Sequence, residues 1–203
     1  MTVKVKICGI TRAEDARAAA EFGADLLGLN FYAPSPRSVT LERAREIRTT
    51  IARGHKVVGV FVNASREYVE ERLREVRLDL LQFHGDEPDA MMKRWPVPVI
   101  RALRVAPGAR FDPHRDFSAD YVLLDTFHPA LYGGTGKGRP LSDLRGLDLS
   151  RVFISGGLTC DDVAEAAALS PYAVDVASGV ESTPGIKDHH KLRRFIENAK
   201  SAR

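Results

Sequence analysis

Eight short apolar runs recur along the chain, at residues 3–8, 25–31, 56–62, 79–84, 97–102, 120–125, 151–155 and 173–178. Each is rich in Val, Ile and Leu and is closed by a small or polar residue. Their apolarity is continuous rather than alternating, the pattern of parallel strands covered on their outer face. Amphipathic, charged stretches between the runs read as helices. Residues 13–22 are rich in Ala with Glu and Arg, and Gly23 follows as a C-terminal stop. Thr40 is placed to cap a helix over residues 41–53, with Gly54 beyond its end. After Ser65, the side chains of Val69, Leu73 and Val76 fall on one helical face. Asp161 and Asp162 open residues 163–169 with negative charge where a helix is partly positive. Asp188 starts a last helix striped by Leu192, Phe195 and Ile196. The stretches near 108–117 and 141–147 are shorter and less periodic, and full helices are not expected there.

Strand–helix units of roughly 20–30 residues, eight in all, predict an α/β fold of the (β/α)8 barrel type. A single domain over residues 1–203 is expected, since no linker or composition shift marks a boundary. The competing open, doubly wound sheet calls for fewer strands and a Gly-rich loop directly after the first one. Composition changes this picture little. No apolar run approaches the roughly 18–20 residues of a membrane span, and the N-terminus lacks the pattern of a secretory signal. Cys8 and Cys160 show no metal-type spacing, so a reduced, cytoplasmic protein is expected. The net charge of +3 is spread among mixed-sign residues, which argues against a nucleic-acid-binding stripe and is compatible with an anionic small substrate.

In a barrel of this kind the chemistry collects where the strands end. The run ends are Cys8-Gly9, Asn30-Phe31, Gln82-Phe83-His84-Gly85, Asp125-Thr126, Ser155-Gly156-Gly157 and Ser178-Gly179. Phosphate commonly sits on the loops after strands seven and eight, held by backbone N–H groups. Gly156, Gly157, Ser178 and Gly179 stand there, and tight turns alone are a weaker explanation for both pairs together. The glycine-rich segment 133–138 fails as a nucleotide loop, because Leu131 and Gly138 stand where Gly and Ser or Thr are required. It reads instead as a mobile loop over the site.

Two groups suit proton transfer. Cys8 ends the first strand, with Lys4 and Lys6 on the same face to lower its pKa, although a structural thiol is the commoner use of a buried cysteine. If Lys6 points inward it needs a carboxylate, and Asp175 on the eighth strand is the candidate. Asp125 ends an apolar strand abruptly and is either a turn former or a general acid with a raised pKa. A metal bound by His84, Asp125 and Asp175 is the rival idea, but a catalytic zinc calls for three clear ligands, and no metal or other cofactor is expected.

On these residues the chain resembles the phosphoribosylanthranilate isomerase family of tryptophan biosynthesis. The resemblance rests on Lys6-Ile7-Cys8-Gly9-Ile10-Thr11, Gly28-Leu29-Asn30-Phe31, Ser35-Pro36-Arg37 and Gly59-Val60-Phe61-Val62-Asn63. It continues through Gln82-Phe83-His84-Gly85-Asp86-Glu87, Leu124-Asp125-Thr126, Ser155-Gly156-Gly157-Leu158 and Ser178-Gly179-Val180-Glu181, and reaches the final helix. It implies an Amadori rearrangement of N-(5-phosphoribosyl)anthranilate to the carboxyphenylamino-deoxyribulose phosphate. By the same resemblance Asp125 is the general acid that opens the ribose ring, Cys8 the general base that removes the C2 proton, and Arg37 the partner of the anthranilate carboxylate. Lys6, Gln82, His84 and Asp175 are expected to support them. The implied partner is a small phosphosugar, with no nucleic acid or membrane, and the chain is expected as a monomer or homodimer. One departure is Gly138-Arg139-Pro140-Leu141, where the family usually carries an aromatic pair. A histidine-pathway isomerase of the same chemistry is the nearest rival, but it places an aspartate where Cys8 stands and shows a half-chain repeat that is not evident here. A non-catalytic phosphate-binding barrel is disfavoured by the presence of both Cys8 and Asp125.

Overall fold

Each apolar run forms a strand: β1 (Lys4–Ile7), β2 (Leu26–Asn30), β3 (Lys56–Phe61), β4 (Leu80–Phe83), β5 (Val99–Val105), β6 (Tyr121–Thr126), β7 (Val152–Ile154) and β8 (Ala173–Val176). All pairings between neighbours are parallel, and β8 returns to β1, so the sheet closes into a barrel. The seam sets Lys6 opposite Asp175 and Ile7 opposite Val176. This computed structural model describes residues 2–105, 112, 118–126 and 141–202. The expectations for the segment 133–138, for Arg139-Pro140 and for most of 108–117 lie outside the described residues.

Alternation along the strands divides the apolar side chains into two bodies. Leu26, Val58, Leu80, Ile100, Leu123, Phe153 and Ala173 fill the barrel interior, and the larger cluster packs between sheet and helices. The strands are therefore apolar on both faces, as their unbroken runs require. The N-terminal end of the barrel is closed by Tyr121, Phe153 and Tyr172, whose rings lie 4.3–5.7 Å apart between centroids. One device recurs at this end. Asp25, Asp79 and Asp120 stand immediately before β2, β4 and β6, and each accepts a backbone N–H from the preceding strand, from Val5, Val57 and Val99 at 2.8–2.9 Å.

The helices are α1 (Ala13–Glu21), α2 (Leu41–Thr50), α3 (Arg66–Val76), α4 (Val163–Ala168) and α5 (His189–Ser201). Thr40, Ser65 and Asp188 cap α2, α3 and α5 by accepting backbone N–H groups of the first turn. Asp162 stands at the N-terminus of α4 as expected, but makes no side-chain cap; its carboxylate accepts from Thr159 N at 2.7 Å and shapes the turn before the helix. Helix α2 stops at Thr50, three residues short of the expected Arg53. Thr49 and Thr50 bond back to the carbonyls of Glu46 and Ile47, and such back-bonding by β-branched residues weakens a helix end. The fourth unit is also less regular than eight full strand–helix units imply. After β4 the chain forms only the short 3-10 turn Asp89–Met92, with Pro88, Pro96 and Pro98 about it. Proline lacks the N–H that a helix interior needs. Beyond β8 an antiparallel pair, β9 (Glu181–Thr183) and β10 (Ile186–Lys187), precedes α5. Asp15 of α1 fastens it, accepting from Lys187 N, from the Arg12 guanidinium and from His189 Nε2 at 2.8–3.1 Å.

Candidate active site

Period-two alternation carries the inward face of each strand beyond the apolar interior to its C-terminal end. On β4 the sequence Leu80, Gln82, His84 climbs from the core to the mouth, and on β6 Leu123 leads to Asp125. The mouth holds a cavity of ≈ 490 Å³ lined by Cys8, Arg37, Gln82, His84, Asp125, Ser155, Gly156, Gly157, Asp175, Ser178 and Gly179 among others. The residues given a role at the site in the sequence all line this cavity except Lys6, which lies beneath it, and Lys4.

Lys6 is fully buried, and the carboxylate it requires is Asp175, at 2.6 Å from Nζ to Oδ1. Ser155 Oγ donates to the other oxygen of Asp175 at 2.9 Å. Lys4 does not join this group. It is exposed near the N-terminal end of the barrel, where its ammonium donates to the Tyr172 hydroxyl at 3.0 Å. The expected lowering of the Cys8 pKa is also corrected. Burial pushes the thiol above its usual value; Lys6 and Lys187 pull it down and Asp175 pushes it up, and the loss of hydration outweighs the cations. Space for the thiol comes from β2, because a Cβ on Gly28 would lie 2.9 Å from Cys8 Sγ.

Across the mouth, Gln82 Nε2 and His84 Nδ1 lie 2.9 Å apart, and His84 Nε2 lies 3.0 Å from Asp125 Oδ2. An amide donor on Nδ1 places the imidazole proton on Nε2, from which it is donated to Asp125. Gln82 Oε1 is buried without a hydrogen-bond partner among the described residues. His84 and Asp125 thus share a hydrogen bond, while Asp175 is engaged by an ammonium. Among the described residues no group of three or more His, Cys, Asp or Glu is arranged to hold a metal.

The loops that end β7 and β8 meet closely. Gly156 and Gly157 have φ of +93° and +82°, a region that favours glycine. A Cβ on Gly179 would fall 2.0 Å from the Leu158 carbonyl oxygen, so glycine alone allows the two loops to touch. This brings Gly156, Gly157, Ser178 and Gly179 to one wall of the cavity.

Arg37 is carried by the loop after β2. Asn30 and Ser35 shape that loop: Asn30 Nδ2 donates to Ser35 Oγ, which also accepts from Arg37 N. The guanidinium is paired with Glu181, Nε to Oε1 at 2.9 Å and Nη2 to Oε2 at 2.8 Å. Glu181 in turn accepts from Lys187 Nζ at 2.9 Å. Although burial raises the carboxyl pKa of Glu181, Arg37 and Lys187 together hold it below its ordinary value. Burial lowers the pKa of Lys187. The sequence reading missed Glu181 and Lys187 as site residues. Glu181 closes one of the motifs that carry the family resemblance, but its contact with Arg37 and that of Lys187 with Cys8 span 144 and 179 residues and form only through closure of the barrel.

A closed parallel barrel with its polar groups gathered at the strand C-termini belongs to the class of (β/α)8-barrel enzymes. Comparison with known proteins narrows that class. Residues 5–198 match the family described as N-(5'phosphoribosyl)anthranilate (PRA) isomerase, and the chain belongs to that family. It is 50% identical over 198 residues to the N-(5'-phosphoribosyl)anthranilate isomerase of Pseudomonas fluorescens strain Pf0-1, covering 96% of this chain and 97% of that one. The crystal structure of the phosphoribosyl anthranilate isomerase from Thermus thermophilus is 37% identical and superposes with a TM-score of 0.85, covering 99% of this chain and 100% of that one. A phosphoribosyl anthranilate isomerase in complex with reduced 1-(o-carboxyphenylamino)-1-deoxyribulose 5-phosphate is 36% identical, with a TM-score of 0.80 and coverage of 98% and 99%.

Proposed function

We propose that the chain converts N-(5'-phosphoribosyl)anthranilate to 1-(o-carboxyphenylamino)-1-deoxyribulose 5-phosphate, with Asp125 as general acid and Cys8 as general base. Asp125 gives its proton to the ribose ring oxygen as the bond from that oxygen to C1 breaks, which leaves an open-chain Schiff base. The Cys8 thiolate then takes the C2 proton, and the electron pair moves through C1–C2 to the nitrogen. The enolamine that results becomes the ketone as C2 hydroxyl loses its proton and C1 gains one, so no net proton is consumed. Arg37 receives the anthranilate carboxylate, a role suited to a planar, permanently charged fork. Gly156, Gly157, Ser178 and Gly179 receive the phosphate through backbone N–H groups and the serine hydroxyl.

The observation that carries this reading is the placing of Cys8 and Asp125, from β1 and β6, on one cavity that also contains Arg37 and the two glycine loops. Lys6 and Asp175 support the thiol from below, and Gln82 and His84 fix the Asp125 carboxylate. Phosphoribosylanthranilate is fluorescent anthranilate on a ribose phosphate, so its loss is followed directly when it is generated in situ. Rapid decay is expected with the wild type and very little with Cys8→Ala or Asp125→Asn. Full activity in Cys8→Ala overturns the assignment of the base.

A further inference from the structure

Lys187 is the most costly charge near the site that the reaction above does not use. Its side chain is fully buried, and Nζ donates to Cys8 O at 2.6 Å, Ala177 O at 3.1 Å and Glu181 Oε1 at 2.9 Å. An ammonium has three donors, so all are spent within the protein and none is left for a substrate. Glu181 is similarly enclosed, at 7% exposure, and does not line the cavity. It takes the Nε–Nη2 edge of Arg37, the side-on edge of the fork. The remaining edge, Nη1 with Nη2, belongs to a side chain that does line the cavity.

We infer that Glu181 and Lys187 are positioning residues for recognition of the substrate carboxylate, Glu181 fixing the plane of Arg37 and Lys187 cancelling the charge of Glu181. The inference rests on the proposed role of Arg37. The two functions differ in kind. Glu181 removes the rotamer freedom that a long arginine otherwise loses on binding. Taken alone, however, it neutralises Arg37 and leaves the cavity with little attraction for an anion. Lys187 restores the balance: with two cations and one carboxylate the cluster keeps one positive charge, and that charge lies on the only member facing the cavity. Lys187 also ties this arm to the backbone of Cys8, so the binding group and the base are set by one chain of contacts.

The charge count gives a test whose sign differs from that of a purely structural role. Glu181→Gln keeps the shape and removes the fixing carboxylate, so the KM for phosphoribosylanthranilate is expected to rise about threefold to tenfold, with kcat close to wild type. Lys187→Met leaves Arg37 neutralised by Glu181, and its KM is expected to exceed that of Glu181→Gln. In the double variant Glu181→Gln/Lys187→Met the charge of Arg37 is released again, and KM is expected to return to the Glu181→Gln value. If the pair serves packing alone, the double variant is instead no better than the worse single one. Ribose 5-phosphate, which has no carboxylate, serves as the competing probe and is expected to inhibit all four proteins equally. An unchanged KM in Glu181→Gln, no recovery in the double variant, or parallel loss of ribose 5-phosphate inhibition overturns the inference. Wild type that leaves phosphoribosylanthranilate unconverted overturns the proposed reaction as well, which separates the two failures.

Discussion

Replacing Lys6 by Met has two effects that can be measured separately. Lys6 is 0% exposed and lies 2.6 Å from Asp175, which after the substitution still accepts from Ser155 Oγ but has lost its ammonium. Breaking a buried ion pair from one side costs about 3–5 kcal/mol, against a typical domain stability of roughly 5–15 kcal/mol. Lys6→Met is therefore expected to fold with a much lower urea midpoint, followed by the fluorescence of the single tryptophan, Trp95. The second effect is on Cys8. Burial raises the thiol and Lys6 is the strongest influence that opposes it. A base acts when deprotonated, so kcat/KM rises with pH as the thiolate fraction rises, and removing Lys6 moves that limb to higher pH. At neutral pH the rate falls about tenfold for each pH unit of displacement. Asp175 pushes Cys8 in the opposite direction, so Lys6→Met/Asp175→Asn recovers stability and places the limb between those of the wild type and the single variant. Stopped-flow decay of phosphoribosylanthranilate from about pH 6 to about pH 10 reads the limb directly. A Lys6→Met enzyme with the wild-type limb refutes the reasoning, whatever its stability.

Two further outcomes follow from contacts described above. Gly28→Ala drives a methyl against Cys8 Sγ and is expected to cost about 1–3 kcal/mol and to lower kcat more than it raises KM; equal kcat shows that the thiol has room to spare. Asp15 is a fully buried acceptor, and although burial raises its pKa, Arg12, His189 and Lys187 N together hold it below its ordinary value. A carboxyl depressed in the folded state adds stability above its unfolded pKa and loses it as pH falls through the folded value. Asp15→Asn is expected to be about 1.5–3 kcal/mol less stable at neutral pH, with the difference narrowing in acid below the ordinary Asp range; a constant difference contradicts this.

The strands were legible because a parallel barrel strand is buried on both faces, and unbroken Val, Ile and Leu runs have few other uses. The cap at Thr40 was legible for a local reason, since its side chain serves an N–H three residues ahead, and the helix starts after Ser65 and Asp188 were placed without the caps those side chains form. The early end of α2 was missed because the Thr49 and Thr50 hydroxyls compete at a scale that apolar periodicity does not report. Site residues were read from their position at strand ends, and that reading reaches the cavity lining where the strand itself delivers the group, as β4 delivers Gln82 and His84. It failed for Glu181 and Lys187, which sit on a hairpin outside the barrel and meet Arg37 across 144 residues and Cys8 across 179. The direction of the Cys8 shift was misjudged because nearby lysines can be counted in a sequence, whereas the water removed around a thiol cannot.

The three aspartates before β2, β4 and β6 also work as a proofreading device. A barrel of nearly uniform Val, Ile and Leu strands offers several ways to pair that differ little in apolar contact. A slip of one residue turns every inward side chain outward. In this chain it also takes Asp25, Asp79 and Asp120 away from the N–H groups of Val5, Val57 and Val99. The penalty for a misaligned pair is thus levied at the far end of the strand from the cavity. The end of the barrel opposite the cavity thus helps to decide, strand by strand, that Cys8, His84 and Asp125 face inward.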